Sequence, residues 1–345
     1  MRQNKIQIYL AFAALLLSCI SCSSDTISVP LKISQQDYLI IPAKYGQCQV
    51  NLLPLVGFCS NVLTAQYSNE PFVCGAHLIG ENSFVGGRQF VAEFQLGNVQ
   101  ANLNFTNPNS TSSFYKERAL CFGEKDFPNQ DNVVEELFLQ GLIKEQRFYI
   151  QINSTNASQD VIGSIDIGSP NFSLIKKGSK LVNLKHYSQN SAYSTPSDRS
   201  LKYGDIQLNY GTVIGFDLQS PFSQIGEFAI NSIVGQLQKE SIGYEYHFGA
   251  KSGDYIFNVD SIEKLQSISL NAIIQDGKPF TITIKPQNYT RKLQNGKYQV
   301  LLYPLQYSDF ISLGYTILQS YYLGFDLPTQ SYLISEKPEI SIDQF

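Results

Sequence analysis

The chain is predicted to be an all-β protein with a few short peripheral helices, on three observations. Twenty-two Phe and 21 Tyr stand against one Met and no Trp, a composition suited to pleated, half-buried surfaces rather than helix bundles. Beyond Ile27 the apolar residues alternate with period two in short runs, each closed by Gly, Asn, Pro or Ser. Only three short segments carry helical signals. At 345 residues and 43% hydrophobic, the chain can build substantial cores.

Taken in order, the N-terminus reads first as a secretory signal peptide over residues 1–23. Arg2 and Lys5 precede an apolar stretch from Ile6 to Leu17, and small residues from Ser18 to Ser23 follow. Leu16-Leu17-Ser18-Cys19 also fits a bacterial lipoprotein box, so a lipid-anchored terminus is the alternative to simple cleavage. No later run is apolar enough to span a membrane, and no transmembrane segment is expected. Strands are expected at Ile27–Ile33, Phe90–Leu96, Phe148–Ile152 and Phe280–Lys285. A helix is expected from Asn132 to Gly141, with Asp131 or Asn132 as N-cap and Gly141 as its stop. A second is expected from Phe228 to Leu237, with Ile230, Ile233, Val234 and Leu237 on one face, and a third near Thr316 to Tyr322. Asn102–Ser113 and Tyr187–Arg199 read as exposed loops.

Several function classes are disfavoured by the same text. A net charge of −4 with no basic block gives nucleic acid nothing to bind. His77, His186 and His247 are scattered and no Cys-x-x-Cys follows the signal region, so neither a metal site nor a cofactor is expected. No Gly-x-Ser-x-Gly elbow supports a serine nucleophile. Cys48, Cys59, Cys74 and Cys121 form an even set outside the signal region, read as disulfides with three open pairings. Asn-x-Ser/Thr sequons begin at Asn104, Asn109, Asn153, Asn156, Asn171 and Asn288, in keeping with a secreted glycoprotein.

Three ordered stretches carry a resemblance. Ile311 to Asp326 holds Leu313-Gly314, Leu318, Tyr321-Tyr322 and Phe325-Asp326 in sequence. Gln140-Gly141-Leu142-Ile143 precedes Phe148-Tyr-Ile-Gln-Ile152, and Ile162-Gly-Ser-Ile-Asp-Ile-Gly168 comes next. In order and spacing the set resembles the pepsin-like aspartic proteases. That resemblance implies a bilobal pepsin-like acid protease fold, with an N-terminal lobe over 24–152 and a C-terminal lobe over 153–345.

It also implies a chemistry that this chain lacks the residues to complete. Such proteases place two carboxylates around one water. Because the two charges cannot both persist at that distance, one acid serves as base while the other donates a proton. Each lobe gives one Asp from an Asp-Thr-Gly turn, and neither Asp-Thr-Gly nor Asp-Ser-Gly occurs here. Aligned on the family's opening strands, Ala43-Lys44-Tyr45 takes the first motif's place. Thr212 to Phe222 resembles the second, with Asp217 at the acid and Leu218-Gln219 in place of Thr-Gly. Asp217 is the one surviving catalytic candidate. Ile79, in Ile79-Gly-Glu-Asn-Ser83, stands where the substrate-covering flap carries Tyr, and Tyr315 replaces the Asp of Leu-Gly-Asp.

The expectation is therefore a secreted pseudoprotease, located outside the cell or in an endomembrane or lysosomal lumen, that takes a peptide, protein or glycan ligand in the cleft between lobes. The alternatives are an active aspartic endopeptidase, with Asp37 as the only other plausible carboxylate beside Asp217, and a surface structural protein reusing the fold.

Overall fold

A computed structural model describes residues 25–56, 61–62, 70–82, 87–108, 118–123, 132–153, 161–187, 194–208, 212–248, 255–305 and 310–338. The signal region, Cys59 and the sequons at Asn109 and Asn156 lie outside the described residues.

The alternating pattern that opens the chain becomes the strand Thr26–Ile33, burying Ile27, Val29, Leu31 and Ile33 on one face. It belongs to an antiparallel sheet drawn from distant parts of the chain. In spatial order the members are Val182–Asn183, Ser331–Glu336, Tyr321–Asp326, Arg147–Ile152, Gly163–Gly168 and Thr26–Ile33. Thus the C-terminal Tyr321–Asp326 strand, buried at every residue, pairs directly with Arg147–Ile152 from the first half.

From this shared sheet the first half continues through Leu39–Tyr45, which hairpins to Cys48–Leu55 and also meets Gly87–Leu96. Gly87–Leu96 pairs along its length with Val99–Pro108. Between the strands Tyr45 stacks on Phe94 at 5.5 Å and Phe90 on Phe105 at 5.6 Å between ring centroids, a geometry worth about 1 kcal/mol per pair beyond burial. The second half is built on a five-stranded sheet ordered Ser194–Pro196, Val213–Asp217, Phe310–Gly314, Ser223–Gly226 and Leu302–Leu305.

The helices pack outside these sheets. Val133–Leu139 starts at Asn132, whose side chain accepts from the Val134 and Glu135 amides; such a cap contributes about 1 kcal/mol. Glu227–Lys239 buries Ala229, Ile230, Ile233 and Leu237, each large aliphatic contributing about 2 kcal/mol through removal from water.

Three sequence expectations change. Asn102–Ser113 is not a loop up to residue 108: Ala101, Leu103 and Phe105 turn inward between Asn and Gln neighbours, and the ladder partner makes a strand of a segment whose Asn residues suggested turns. Within Tyr187–Arg199, Ser194–Pro196 is a strand, formed by its pairing of Ser194 with Gly215, Thr195 with Ile214 and Pro196 with Val213. The helix near Thr316–Tyr322 is a 3-10 turn over Tyr315–Gln319, and Tyr321 and Tyr322 are drawn instead into the shared sheet. There they bury their rings and direct their hydroxyls at Thr283 and Asp166.

Candidate functional site

The strand Val213–Asp217 runs parallel to Phe310–Gly314, with Gly215 beside Ser312 and Asp217 beside Gly314. The chain then turns through residues 218–222 and returns as Ser223–Gly226 on the other side of Phe310–Gly314, pairing Gln224 antiparallel to Ser312. One strand is therefore threaded between the two arms of a loop, and Asp217 ends the entering arm.

The Asp217 carboxylate is half-buried, and its Oδ1 accepts from the Gln219 amide at 2.9 Å. Burial raises its pKa above the ordinary carboxylate value, opposed by the Gln219 and Ser220 amides; no charged group contributes. Gly314 lets the turn approach: a Cβ there would stand 2.6 Å from the Pro221 oxygen and 2.7 Å from the Phe222 carbonyl carbon. The Ser223 hydroxyl accepts from the Gly314 amide at 3.0 Å, Ser220 O accepts from the Tyr315 amide at 2.9 Å, and the Thr316 hydroxyl donates to Pro221 O at 3.2 Å. Neither Leu218 nor Gln219 supplies a bracing hydroxyl; Ser223 and Thr316 hold the turn from neighbouring elements.

The first half contains the same arrangement. Cys48–Leu55 runs parallel to Ala119–Cys121, with Leu53 beside Ala119 and Leu55 beside Cys121. Val62 returns antiparallel to the same Ala119. The same number of residues separates Leu53 from Val62 as separates Gly215 from Gln224. Asn61, one residue before Val62, accepts from the Cys121 amide at 2.8 Å, as Ser223 does from Gly314. Even the outer neighbours agree: Val62 runs parallel to Thr106 and Gln224 to Tyr303. By this register Leu55 occupies in the first copy the position that Asp217 holds in the second.

That corrects the alignment that put Ala43-Lys44-Tyr45 at the first acid turn. These residues lie within the strand Leu39–Tyr45, paired with Val50, Gln49 and Cys48, one strand before the threaded loop. By the register above, the residue of the first half that corresponds to Asp217 is Leu55. Sequence reasoning missed Leu55, Asn61 and Ser223 together; the available signal was the shared spacing, legible only once both central strands are known.

Asp37, the other carboxylate considered for a pair, is engaged with the second half of the chain. At a φ of 64°, it ion-pairs with Arg291 at 2.6 Å, while its carbonyl accepts from the Tyr315 hydroxyl at 2.9 Å. Ile79 lies in the hairpin of His77–Asn82 with Gly87–Leu96, at a register shift between Leu78 and Gly80, and is half exposed. Cys48 and Cys74 form a disulfide, and Cys121 is disulfide-bonded as well. Among the sequon asparagines, Asn171 and Asn153 are exposed, whereas Asn288 is buried and bonded to Gln319. No cluster of three or more metal-ligating side chains occurs among the described residues, and none of their helices is long and apolar enough to cross a membrane.

This is the fold of the pepsin-like aspartic proteinases: all-β and bilobal, with few short helices. The crystal structure of an aspartic proteinase from Irpex lacteus superposes with a TM-score of 0.67, covering 93% of this chain and all of that one, at 13% sequence identity. No family model and no curated protein matches the sequence.

Proposed function

We infer that this chain is a secreted pseudoprotease, a pepsin-fold protein that binds a peptide or protein ligand between its lobes without hydrolysing it. The observation that carries the reading is the identity of the two matched positions, Leu55 and Asp217. Hydrolysis by this fold needs one carboxylate to activate water and a second to protonate the leaving amine. An isobutyl side chain does neither. Asp217 alone, with its carboxylate tied to its own turn, can accept a hydrogen bond from a ligand amide or, when protonated, donate one to a carbonyl. Loss of one member of such a pair costs orders of magnitude in rate.

The test is digestion of denatured haemoglobin and casein by the purified secreted protein between about pH 2 and pH 7. The expected result is no cleavage above background. Cleavage that pepstatin abolishes would overturn the reading. Retention of peptides from a random library on the immobilised protein, lost on Asp217→Lys, would support the ligand-binding half.

A further inference from the structure

Between Asp166 and Asp198 the sequence contains no acidic residue, yet it holds Lys176, Lys177, Lys180 and Lys185 in a chain whose net charge is −4. Three of these lysines fall on the connection from Gly163–Gly168 to Val182–Asn183. The connection is anchored from below. Leu174, Ile175 and Leu181 pack on Tyr149, Tyr322 and Leu333, and the Asn171 amide donates to the Tyr322 hydroxyl at 3.0 Å. That hydroxyl in turn donates to the buried Asp166 carboxylate at 3.0 Å. The Lys176 amide donates to Glu336 O, and the Ser179 amide closes a turn on Lys176 O, both at 2.9 Å.

On this fixed base the side chains sort by partner. Lys176 is neutralised by Glu336 at 2.9 Å. Lys177 and Lys180 are exposed, and neither meets an acid among the described residues. Phe172 presents its ring to solvent at 68% exposure. Phe172, Lys177, Ser179 and Lys180 border one surface concavity of about 460 Å³. A volume in this range suits one or two sugar rings.

We propose that the 171–181 connection is a binding site for an acidic saccharide, with the Lys177 and Lys180 ammonium groups on its sulfate or carboxylate and the Phe172 ring against a sugar face. Two cations with no acidic partner among the described residues, beside an exposed ring, favour an anion carrying an apolar face. The concavity favours a compact saccharide over a bilayer, which would need a broad convex or flat apolar surface. The site uses none of the residues around Asp217 and stands independently of the proposed pseudoprotease role.

Heparin and neutral dextran, offered to the full secreted chain in titration calorimetry at two salt concentrations, provide the test. The expected result is salt-sensitive heparin binding and no dextran binding, with Lys177→Gln/Lys180→Gln weakening heparin by at least about tenfold and flattening its salt dependence. Phe172→Ser is expected to weaken binding while leaving the salt dependence unchanged. Lys239→Gln/Lys264→Gln removes two exposed lysines elsewhere and is expected to change nothing. No heparin binding, an equal loss in the Lys239/Lys264 variant, or binding to phosphatidylserine vesicles in place of heparin would each overturn the proposal. Circular dichroism of every variant separates lost binding from lost folding.

Discussion

Leu55 and Asp217 stand at the same place in two copies of one threaded-strand arrangement, each beside the last residue of the central strand that its own half contributes, Cys121 and Gly314. The correspondence makes a sharp prediction about charge. Leu55→Asp introduces the carboxylate that the first half lacks, and two carboxyls in contact cannot both ionise at their ordinary values. Carbon-detected NMR titration is expected to show Asp217 as a single step in the parent and as one of two separated steps in the variant. An unchanged Asp217 titration would show that the two positions do not face one another.

Asp217 itself has a calculable effect on stability. Burial raises its pKa in the folded state, so over the interval between the unfolded and folded values the native protein binds the extra proton. Its contribution is fully present below the unfolded value and is lost as pH rises through the folded one. Asp217→Asn keeps an oxygen for the Gln219 amide and removes the ionisation. The variant is expected to melt higher than the parent at pH 7 by a margin that shrinks at pH 3. A margin larger at pH 3 would contradict the sign.

Lys337 gives the opposite slope. Its ammonium is buried and donates to Gln151 Oε1 at 3.0 Å, Ile152 O at 2.5 Å, Leu318 O at 3.2 Å and Asn153 Oδ1 at 3.3 Å, with no carboxylate among these partners. Burial pulls its pKa down to about 7. Between there and the ordinary lysine value the unfolded chain holds more protons, so stability from this group grows with rising pH and is lost as pH falls toward 7. Denaturant midpoints measured from pH 7 to pH 10 are expected to rise more in the parent than in Lys337→Met.

The Asp37 contacts with the second half of the chain divide into a weak and a stronger part. The Arg291 ion pair is about one-third exposed on both sides, so Arg291→Leu is expected to cost less than about 1 kcal/mol. Tyr315 is almost wholly buried and its hydroxyl makes one hydrogen bond, so Tyr315→Phe is expected to cost about 1 kcal/mol. Chemical denaturation of both single variants and the double variant measures each cost and their coupling.

Glycan mapping of the protein secreted from eukaryotic cells is expected to find no occupancy at Asn288, whose side chain is buried in the folded chain and bonded to Gln319. Asn171, by contrast, is exposed.

The sequence by itself determined the β class, a helix after residue 132 capped by Asp131 or Asn132, and an amphipathic helix from Phe228 to Leu237. In each, period, cap and turn residues act between near neighbours, so the information is local. It also sufficed to show that no Asp-Thr-Gly exists. Only the tertiary structure decided where the missing acid would have been. Ala43 and Leu55 lie on adjacent antiparallel strands of similar apolar pattern, and the difference between them is set by which strand runs beside Ala119. Ser194–Pro196 likewise becomes a strand only through its pairing with Val213–Gly215, and Asn102 to Pro108 through its hairpin with Gly87–Glu93. Pairing between residues far apart in the chain leaves no periodic trace in either partner, and the threaded loops that define this site are made of such pairings.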